Sequence, residues 1–408
     1  MSTVDWSSLL PEILHMISTN LKIHADYIRF RAVCTAWRAS TPATPTHLPC
    51  QLPWLMLPQT SSSNHRRRAF FNLSNNKFHI LDLPEACHRR RRCGSSHGWL
   101  IILEESPSIF LINPLTRAKI TLPPLSTFPY VVRFDFSNVG REYILRSPYD
   151  DGLVNYVSQI YTCGLKDMRD SFVKKIVLSN SPSGGSKFLA LAIMNKTGDL
   201  AYWKDGQNSW DLIEGARSFC EDVIFFNGLF YAVDKYGCIA VCDVSGDSPR
   251  VEFIHTPRAN DGPEGDMQYL VNVNGELLLV TRYLELATEL GQLQIGLGTY
   301  ETHEFRVFRL DLSGRKWERV MSLDDTMLFL GENSSLALVA SDFPGCKGNR
   351  IYFTDDYFEL DYGGFPGNHD LGIFNLEDGR IEQLLCYPRN SHSHLQWPPP
   401  IWITPNPC

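Results

Sequence analysis

The sequence lacks the features of a membrane or secreted protein. No apolar run approaches the roughly 20 residues that a membrane-spanning helix needs. The start of the chain has no basic segment followed by an apolar core, which is how a secretory signal is built. We therefore expect no membrane association and an intracellular location, in the nucleus, the cytoplasm or both.

Cysteine pairing of the kind that binds metal is also missing. The 11 cysteines are scattered singly, and their pattern is typical of an intracellular protein with reduced, mostly buried thiols. One cluster has metal-ligand residue types, namely Cys87, His88, Cys93 and His97. The arginines Arg89–Arg92 lie between its cysteines and would repel a cation. We predict no metal site and no cofactor.

An excess of positive charge is absent. The formal net charge is -7, which argues against a globally basic protein and against nucleic acid as the main partner. Two local basic runs remain, Arg66–Arg68 and Arg89–Arg92. They could serve as nuclear-import signals or phosphate contacts. The alternative is that both are hydrated loops between strands.

No catalytic constellation is recognisable in the sequence. Two carboxylate pairs, Asp324–Asp325 and Asp355–Asp356, have the residue types that a glycan hydrolase uses as acid and base. Acidic turns between strands are a commoner source of such pairs. We therefore predict no catalytic residue and keep a propeller-type hydrolase only as a remote alternative.

The first 40 residues contain no glycine and have helical periodicity. Spacings of three and four residues place an apolar stripe on one face of a first helix. Its members are Leu10, Ile13, Leu14, Ile17 and Leu21. Pro11 suits the first turn of this helix, where its missing N–H is not needed.

A second helical stretch follows, with Asp26 expected as its N-cap. The apolar stripe continues along it, and we predict a kink near Cys34. The members of this second stripe are Tyr27, Phe30, Val33, Cys34 and Trp37. Four prolines then fall between residues 40 and 53 and rule out a continuing helix. These patterns predict a helical module at 1–40, a stiff linker at 41–53 and a β domain at 54–408.

The β domain has strand-length apolar runs separated by turn residues. The stretches "FNGLFYAV" and "VNGELLLV" align on Gly228 and Gly275, which are 47 positions apart. That distance is close to the length of one four-stranded propeller blade. We count six or seven such units and predict an all-β domain that is a six- or seven-bladed β-propeller. Two packed all-β domains are the alternative.

A helical module of about 40 residues buries too little apolar surface to be stable alone. Each large apolar side chain that a partner covers is worth roughly 1.5–3 kcal/mol. The concentration of such residues before residue 40 therefore indicates a module that a protein partner completes.

The stretch "LLPEILHMISTNLKIHADYIRFRAVCTAWRAS" resembles an F-box over about Trp6–Ser40. The resemblance lies in Leu-Pro at the helix start, the Ile/Leu repeats, and Arg-Phe-x-x-Val-Cys-x-x-Trp-Arg. One departure is the short Ala/Ser end after Trp37, which implies a short last helix. An F-box implies binding to the adaptor Skp1 and, through it, a cullin–RING ligase of the SCF type. The matching adaptor-binding positions are Leu10, Pro11, Ile13, Leu14, Ile17, Leu21, Phe30, Val33, Cys34 and Trp37, some of them shared with the core of the module.

The β domain resembles that of a large plant F-box family with a kelch-like propeller. The stretches "FFNGLFYAVDKYGCIAVCDV", "NRIYFTDDY" with "LGIFNLEDGRIEQL", and "WITP" carry this resemblance. It implies a non-catalytic substrate-recognition subunit whose propeller binds an unidentified target protein for ubiquitination. The alternatives are an F-box scaffold outside the ligase and a propeller that reads nucleic acid.

Overall fold

The computed structural model describes residues 6–42, 45, 47–58, 66–87, 90–147, 160–194, 198–256, 264–287, 299–356, 370–387 and 399–406. Three helices come first: α1 (Pro11–Thr19), α2 (His24–Arg31) and α3 (Thr35–Ala39). A fourth, α4 (Leu165–Asp167), continues as a π-helical turn (Met168–Phe172). Single 3-10 turns are Trp6–Ser8, Pro84–Ala86, Leu125–Thr127, Ser183–Gly185 and Ala340–Asp342.

The helix boundaries follow local chemistry, with one correction. Pro11 occupies the first position of α1, as predicted. The predicted N-cap at Asp26 is wrong, because α2 begins at His24 with Ile23 as its N-cap. Asp26 lies in the first turn instead, where its carboxylate pairs with Arg29 at 2.7 Å. The kink expected near Cys34 is a complete break between α2 and α3.

The remaining described chain forms seven sheets, numbered here in chain order. Sheet 1 contains β1 (Trp54–Met56), β2 (Arg67–Asn72), β3 (Lys77–Asp82) and, from the far end of the chain, β28 (Ile401–Ile403). Sheet 2 contains β4 (Arg91–Ser96), β5 (Trp99–Leu103), β6 (Ile109–Ile112) and β7 (Lys119–Leu122). Sheet 3 contains β8 (Val131–Phe134), β9 (Tyr143–Arg146) and β10 (Ile160–Cys163).

Sheets 4 to 6 each have four antiparallel strands. Sheet 4 contains β11 (Val173–Leu178), β12 (Leu189–Met194), β13 (Asp199–Lys204) and β14 (Asp211–Leu212). Sheet 5 contains β15 (Asp222–Phe226), β16 (Leu229–Val233), β17 (Ile239–Asp243) and β18 (Arg250–Ile254). Sheet 6 contains β19 (Met267–Val273), β20 (Glu276–Ala287), β21 (Thr299–Asp311) and β22 (Lys316–Val320).

Sheet 7 has five strands in the order β24-β23-β25-β26-β27, with β23 and β25 parallel. The strands are β23 (Thr326–Leu330), β24 (Leu336–Val339), β25 (Arg350–Phe353), β26 (Gly372–Asn375) and β27 (Ile381–Glu382). Sheet 1 closes the arrangement, because β28 from the end of the chain pairs with β1 from its beginning. Consecutive sheets closed in this way are the arrangement of a β-propeller.

Among the described residues, six apolar clusters join the sheets into a ring. They lie between sheets 1 and 2, 4 and 5, 5 and 6, 6 and 7, and 7 and 1, and the largest lies where sheets 2, 3 and 4 meet. Sheet 3 packs into that last cluster, while β4 and β11 approach each other directly. The Leu178 amide donates to the Ser96 hydroxyl at 3.3 Å. One closed ring excludes the alternative of two separate all-β domains.

The Asn-Gly signals mark equivalent turns. Asn227 and Gly228 join β15 to β16, and Asn274 and Gly275 join β19 to β20. All four residues have positive φ, between 49° and 89°. Paired positive φ values are what a two-residue hairpin requires, and Asn-Gly is the dipeptide that adopts them most readily. The 47-residue spacing thus corresponds to the same turn in neighbouring sheets.

Gly94 in β4 is a tighter position than these turn glycines. Its φ is +135°, and a Cβ there would lie 2.8 Å from the Ile176 carbonyl oxygen of β11. Gly228 has a φ of +83° but open space around it. We expect Gly94→Ala to lower the free energy of unfolding by roughly 2–5 kcal/mol, because strain and overpacking add. Gly228→Ala should cost only about 1–2 kcal/mol, and equal losses in urea unfolding would contradict this difference.

Candidate functional site

The helical module, residues 6–42, exposes many large apolar side chains. Leu10 is 62% exposed and Met16 is 59% exposed. The full set is Trp6, Leu10, Ile13, Met16, Ile17, Ile23, Ile28 and Val33. Scattered exposed apolar residues are normal in soluble proteins, but a concentration of them in so short a segment marks an interaction site.

Four of these side chains form what we call the α1 surface: Leu10, Ile13, Met16 and Ile17. Leu10, Ile13 and Met16 are spaced three residues apart, and Ile17 is four residues from Ile13. The four side chains therefore lie on one side of the helix. Pro11 in the same turn is exposed as well. The α1 surface is therefore a continuous apolar strip of about two helical turns.

The interior of the module explains why this strip faces outwards. Leu14 and Tyr27 are fully buried, and Phe30 is 8% exposed. The Phe30 ring lies 4.3 Å from that of Trp37, and the Trp37 indole N–H donates to the Trp6 carbonyl at 3.0 Å. On α1 this small core takes Leu14, which lies beside the strip, while the four side chains of the α1 surface stay exposed.

The predicted adaptor-binding residues fall into three groups in the structure. Leu10, Pro11, Ile13, Ile17 and Val33 are exposed; Leu21, Cys34 and Trp37 are partly buried; Leu14 and Phe30 are buried. The last two serve the interior of the module, so we leave them out of the docking surface proposed below. Cys34 is also less buried than its pattern predicted.

Sequence reasoning missed some exposed apolar residues of the module. Met16 carried a usable signal, because it is three residues from Ile13 on the same helix. Trp6, Ile23 and Ile28 carried none, since they do not continue the stripe from which the helices were predicted. Only the packing of the helices against each other shows that these three side chains are exposed.

Gln51 ties the linker to the module. Its side-chain oxygen accepts a hydrogen bond from the His24 amide at 3.0 Å, and its amide nitrogen donates to the Lys22 carbonyl at 3.0 Å. Tyr27 adds a bond from its hydroxyl to the Pro42 carbonyl at 2.8 Å. The described part of the linker therefore holds the module at a defined position relative to the sheets.

A second candidate lies at the centre of the ring, where charged side chains are buried. We call it the central charge cluster: Lys175, Asp222, Arg282, Glu332, Asp355, Asp356 and Asp370. Arg282 is fully buried and pairs with Asp356 at 3.2 Å and Asp370 at 2.9 Å. Lys175 pairs with Asp222 at 2.7 Å. These contacts join sheets 4 to 7 across the ring.

Two carboxyl groups of this cluster have strongly perturbed pKa values. Burial raises the pKa of Glu332 to about 7, against the opposing effect of the guanidinium groups of Arg91 and Arg92. Neither Glu332 oxygen has a hydrogen-bond partner among the described residues. Burial also raises the pKa of Asp355 to about 6, although the Tyr300 hydroxyl donates to it at 2.5 Å.

Glu332 should make stability depend on pH. Its folded pKa of about 7 exceeds its ordinary value of 4.5, so its contribution to stability falls as pH rises between these values and is constant above them. We expect Glu332→Gln to match the wild type near pH 4.5 and to be more stable by about 2–3 kcal/mol at pH 8. Urea unfolding at both pH values measures this, and a pH-independent difference would contradict it.

Comparison with known proteins places the chain in a family. The KIB1-4 beta-propeller family matches residues 70–375. F-box protein SKIP23 of Arabidopsis thaliana is 31% identical, over 98% of this chain and 96% of the relative. F-box protein At2g17036 from the same plant is 26% identical over 98% of this chain and 95% of the relative. F-box/kelch-repeat protein At1g57790, also from Arabidopsis thaliana, is 25% identical over 86% of this chain and 83% of the relative.

The chain belongs to the plant F-box proteins with a β-propeller domain. The family expected from the sequence is thereby confirmed, and so is a β-propeller as the class of the sheet domain. The relatives are named as F-box proteins.

The basic runs of this F-box protein are structural. The described residues of both runs lie in or beside strands β2 and β4, so the interpretation as hydrated loops is wrong for them. Arg68, Arg91 and Arg92 are at most 3% exposed. Arg66 pairs with Asp82 at 3.2 Å. The buried guanidinium groups cannot contact a nucleic-acid phosphate or an import receptor in this fold.

Arg90 and Arg67 complete the described part of these runs. Arg90 pairs with Glu104 at 2.7 Å, and Arg67 is exposed on β2. Arg89 lies outside the described residues. A continuous accessible basic patch is therefore not present in the described part of either run, and the nucleic-acid alternative loses the observation that motivated it.

The carboxylate pairs differ from each other. Asp324 and Asp325 are exposed in a turn before β23, as predicted for an acidic turn. Asp355 is 7% exposed and belongs with Asp356 to the central charge cluster, so the acidic-turn interpretation is wrong for this pair. The cation Arg282 and the hydroxyl groups of Tyr269 and Tyr300 bind their oxygens.

Among the described residues, no group of three or more His, Cys, Asp or Glu side chains is arranged to hold a metal ion. Cys93 is fully buried in β4, and burial raises its pKa to about 12; His88 lies outside the described residues. In the described part of the chain, no helix has the length and apolar character needed to cross a membrane.

Proposed function

We propose that the chain is the substrate-recognition subunit of an SCF-type ubiquitin ligase. In this proposal the helical module is the F-box and binds a Skp1-like adaptor, and the propeller binds a target protein. The α1 surface is the observation that carries the proposal. Its four apolar side chains could contribute on the order of 6–12 kcal/mol before ordering and association costs are subtracted.

The position of the linker suggests which propeller face binds the target. The described linker residues from Pro45 to Pro53 lie against the ends of β4, β11 and β28 on one face, which we call the linker face. The opposite face carries the starts of β11, β15 and β19, and none of the described linker residues lies there. We propose that the target binds this opposite face, and that the ligase gains rate by holding a target lysine at high effective concentration.

Reconstitution tests the assignment. We expect the purified chain to elute as a 1:1 complex with a purified Skp1-like adaptor in size-exclusion chromatography. Adding the cullin–RING subunits should shift that complex to a larger size. A chain that elutes alone beside the adaptor contradicts adaptor binding. A chain that binds the adaptor without recruiting the cullin supports the alternative of an F-box scaffold outside the ligase.

A further inference from the structure

A cavity of about 520 Å³ lies on the linker face of the propeller. One wall is formed by the linker, including Leu48 and Pro49. The other walls come from the ends of β4 and β11, from the segment between β23 and β24, and from the residues after β28. Its size falls in the range of pockets that bind drug-sized molecules in proteins.

The described residues that line this cavity carry no formal charge. None of them is Asp, Glu, Lys or Arg. Its one histidine is His97, and burial lowers the pKa of that imidazole, so the ring is neutral at cellular pH. The absence of charge contrasts with the central charge cluster, which lies at the other end of the same inner strands.

Both apolar and hydrogen-bonding side chains line the cavity. Ile224, Phe225 and Leu336 supply apolar surface. The polar members include Ser95, Ser96, Ser181, Asn333, Ser334 and Asn406. A ligand that suits both kinds of wall needs an apolar body together with several groups that donate or accept hydrogen bonds.

Three wall residues have polar atoms without a hydrogen-bond partner among the described residues: Asn333 Oδ1, Ser334 Oγ and Trp402 Nε1. Asn333 is 3% exposed and Trp402 is 1% exposed. The Asn333 amide nitrogen donates to the carbonyls of Phe329 and Ser334, at 3.1 and 2.9 Å. The three unpaired atoms are themselves buried, so the polar groups that a ligand meets are the partly exposed ones of the lining, such as Asn272, Ser335 and Thr404.

We propose that this cavity binds an uncharged small molecule that combines an apolar ring with hydroxyl, carbonyl or amide groups. Such a ligand contacts the linker and the propeller together. Gln51, which also lines the cavity, is bonded to the module through His24 and Lys22. Occupation of the cavity therefore strengthens the connection that positions the module on the propeller.

A fragment screen on the full chain tests this proposal. The probes are uncharged ring compounds of about 150–300 Da with two or more hydroxyl or amide groups. Each is paired with a carboxylate and an amine analogue of the same ring. We expect saturation-transfer NMR to detect binding of uncharged members. The charged analogues should bind at least about tenfold more weakly, because the lining offers no counter-charge.

Two filling variants locate the binding. Ser334→Phe and Leu48→Trp fill the cavity from the propeller side and from the linker side, and each should abolish fragment binding. Ser313→Phe, in an exposed turn between β21 and β22, is the matched control and should bind like the wild type. Two filling positions on separate segments keep the test valid if one variant does not fold.

Three results would overturn the proposal. They are the absence of binding by every uncharged fragment, equal binding of the charged analogues, and unchanged binding in a folded filling variant. Adaptor binding is read separately, through the α1 surface, which shares no residue with the cavity lining. A negative fragment screen therefore does not contradict the proposed ligase function. A negative adaptor-binding result likewise does not contradict the proposed ligand site.

Discussion

Replacing Leu10 and Ile13 together by aspartate should weaken adaptor binding by a factor of at least about 100. Each change removes the burial of a large apolar side chain, worth roughly 1.5–3 kcal/mol, and adds a carboxylate that must lose its water at the interface. A loss of about 3 kcal/mol or more corresponds to that factor. Isothermal titration calorimetry with a Skp1-like adaptor measures it.

The two substitutions should not unfold α1. Leu10 is the N-cap and Ile13 lies in the first turn of the helix. Aspartate is a favoured N-cap residue, and acidic side chains in the first turn interact well with the helix dipole. Far-ultraviolet circular dichroism should therefore be unchanged, which separates a lost interface from a lost fold.

A matched control uses exposed apolar residues of the propeller. Val139 is 89% exposed and Leu385 is 78% exposed, so Val139→Asp with Leu385→Asp makes the same chemical change away from the module. This variant should bind the adaptor like the wild type. Equal affinity of the module variant and the wild type would remove the α1 surface from the proposed interface.

Arg282→Ala should lower the free energy of unfolding of the propeller by about 3–5 kcal/mol. The arginine is fully buried and binds Asp356, Asp370 and the Thr302 hydroxyl. Its removal leaves two buried carboxylates without their cation, and their desolvation is then uncompensated. Urea unfolding followed by tryptophan fluorescence measures the loss.

Two companion variants separate charge from geometry. Arg306 pairs with Glu304 at 2.9 Å, but both side chains are about one third exposed, so Arg306→Ala should cost less than about 1 kcal/mol. Arg282→Lys keeps the charge but loses the planar fork that reaches several acceptors at once, and we expect an intermediate loss. Equal stability of Arg282→Ala and Arg306→Ala would show that the buried pairs contribute little.

Local signals predicted the elements that depend on neighbouring residues. Pro11 marked the start of α1, and the Asn-Gly pairs at 227–228 and 274–275 marked equivalent hairpin turns. Backbone conformation at these positions is decided by the residue itself, because proline restricts φ and Asn-Gly tolerates positive φ. The F-box family and the propeller class were accessible for the same reason, since motif and repeat are properties of the order of residues.

Burial could not be predicted in the same way. Arg66–Arg68 and Arg89–Arg92 look alike in the sequence, but Arg91 and Arg92 are buried while Arg66 is exposed and ion-paired. The partners of the buried ones are distant in the chain: Arg91 donates to the Asp170 carbonyl at 2.6 Å. Contacts across 79 positions leave no local pattern.

The sequence by itself determined the helical module, the β class of the remaining chain and the family to which both belong. Only the tertiary structure decided that Leu14 and Phe30 are interior while Leu10 and Ile13 are exposed, that Asp356 and Asp370 neutralise Arg282, and that an uncharged cavity lies beneath the linker. The physical reason is that periodicity and turn chemistry act over a few residues. Exposure, charge pairing and cavity shape depend on segments brought together only when the ring closes, as β28 and β1 show.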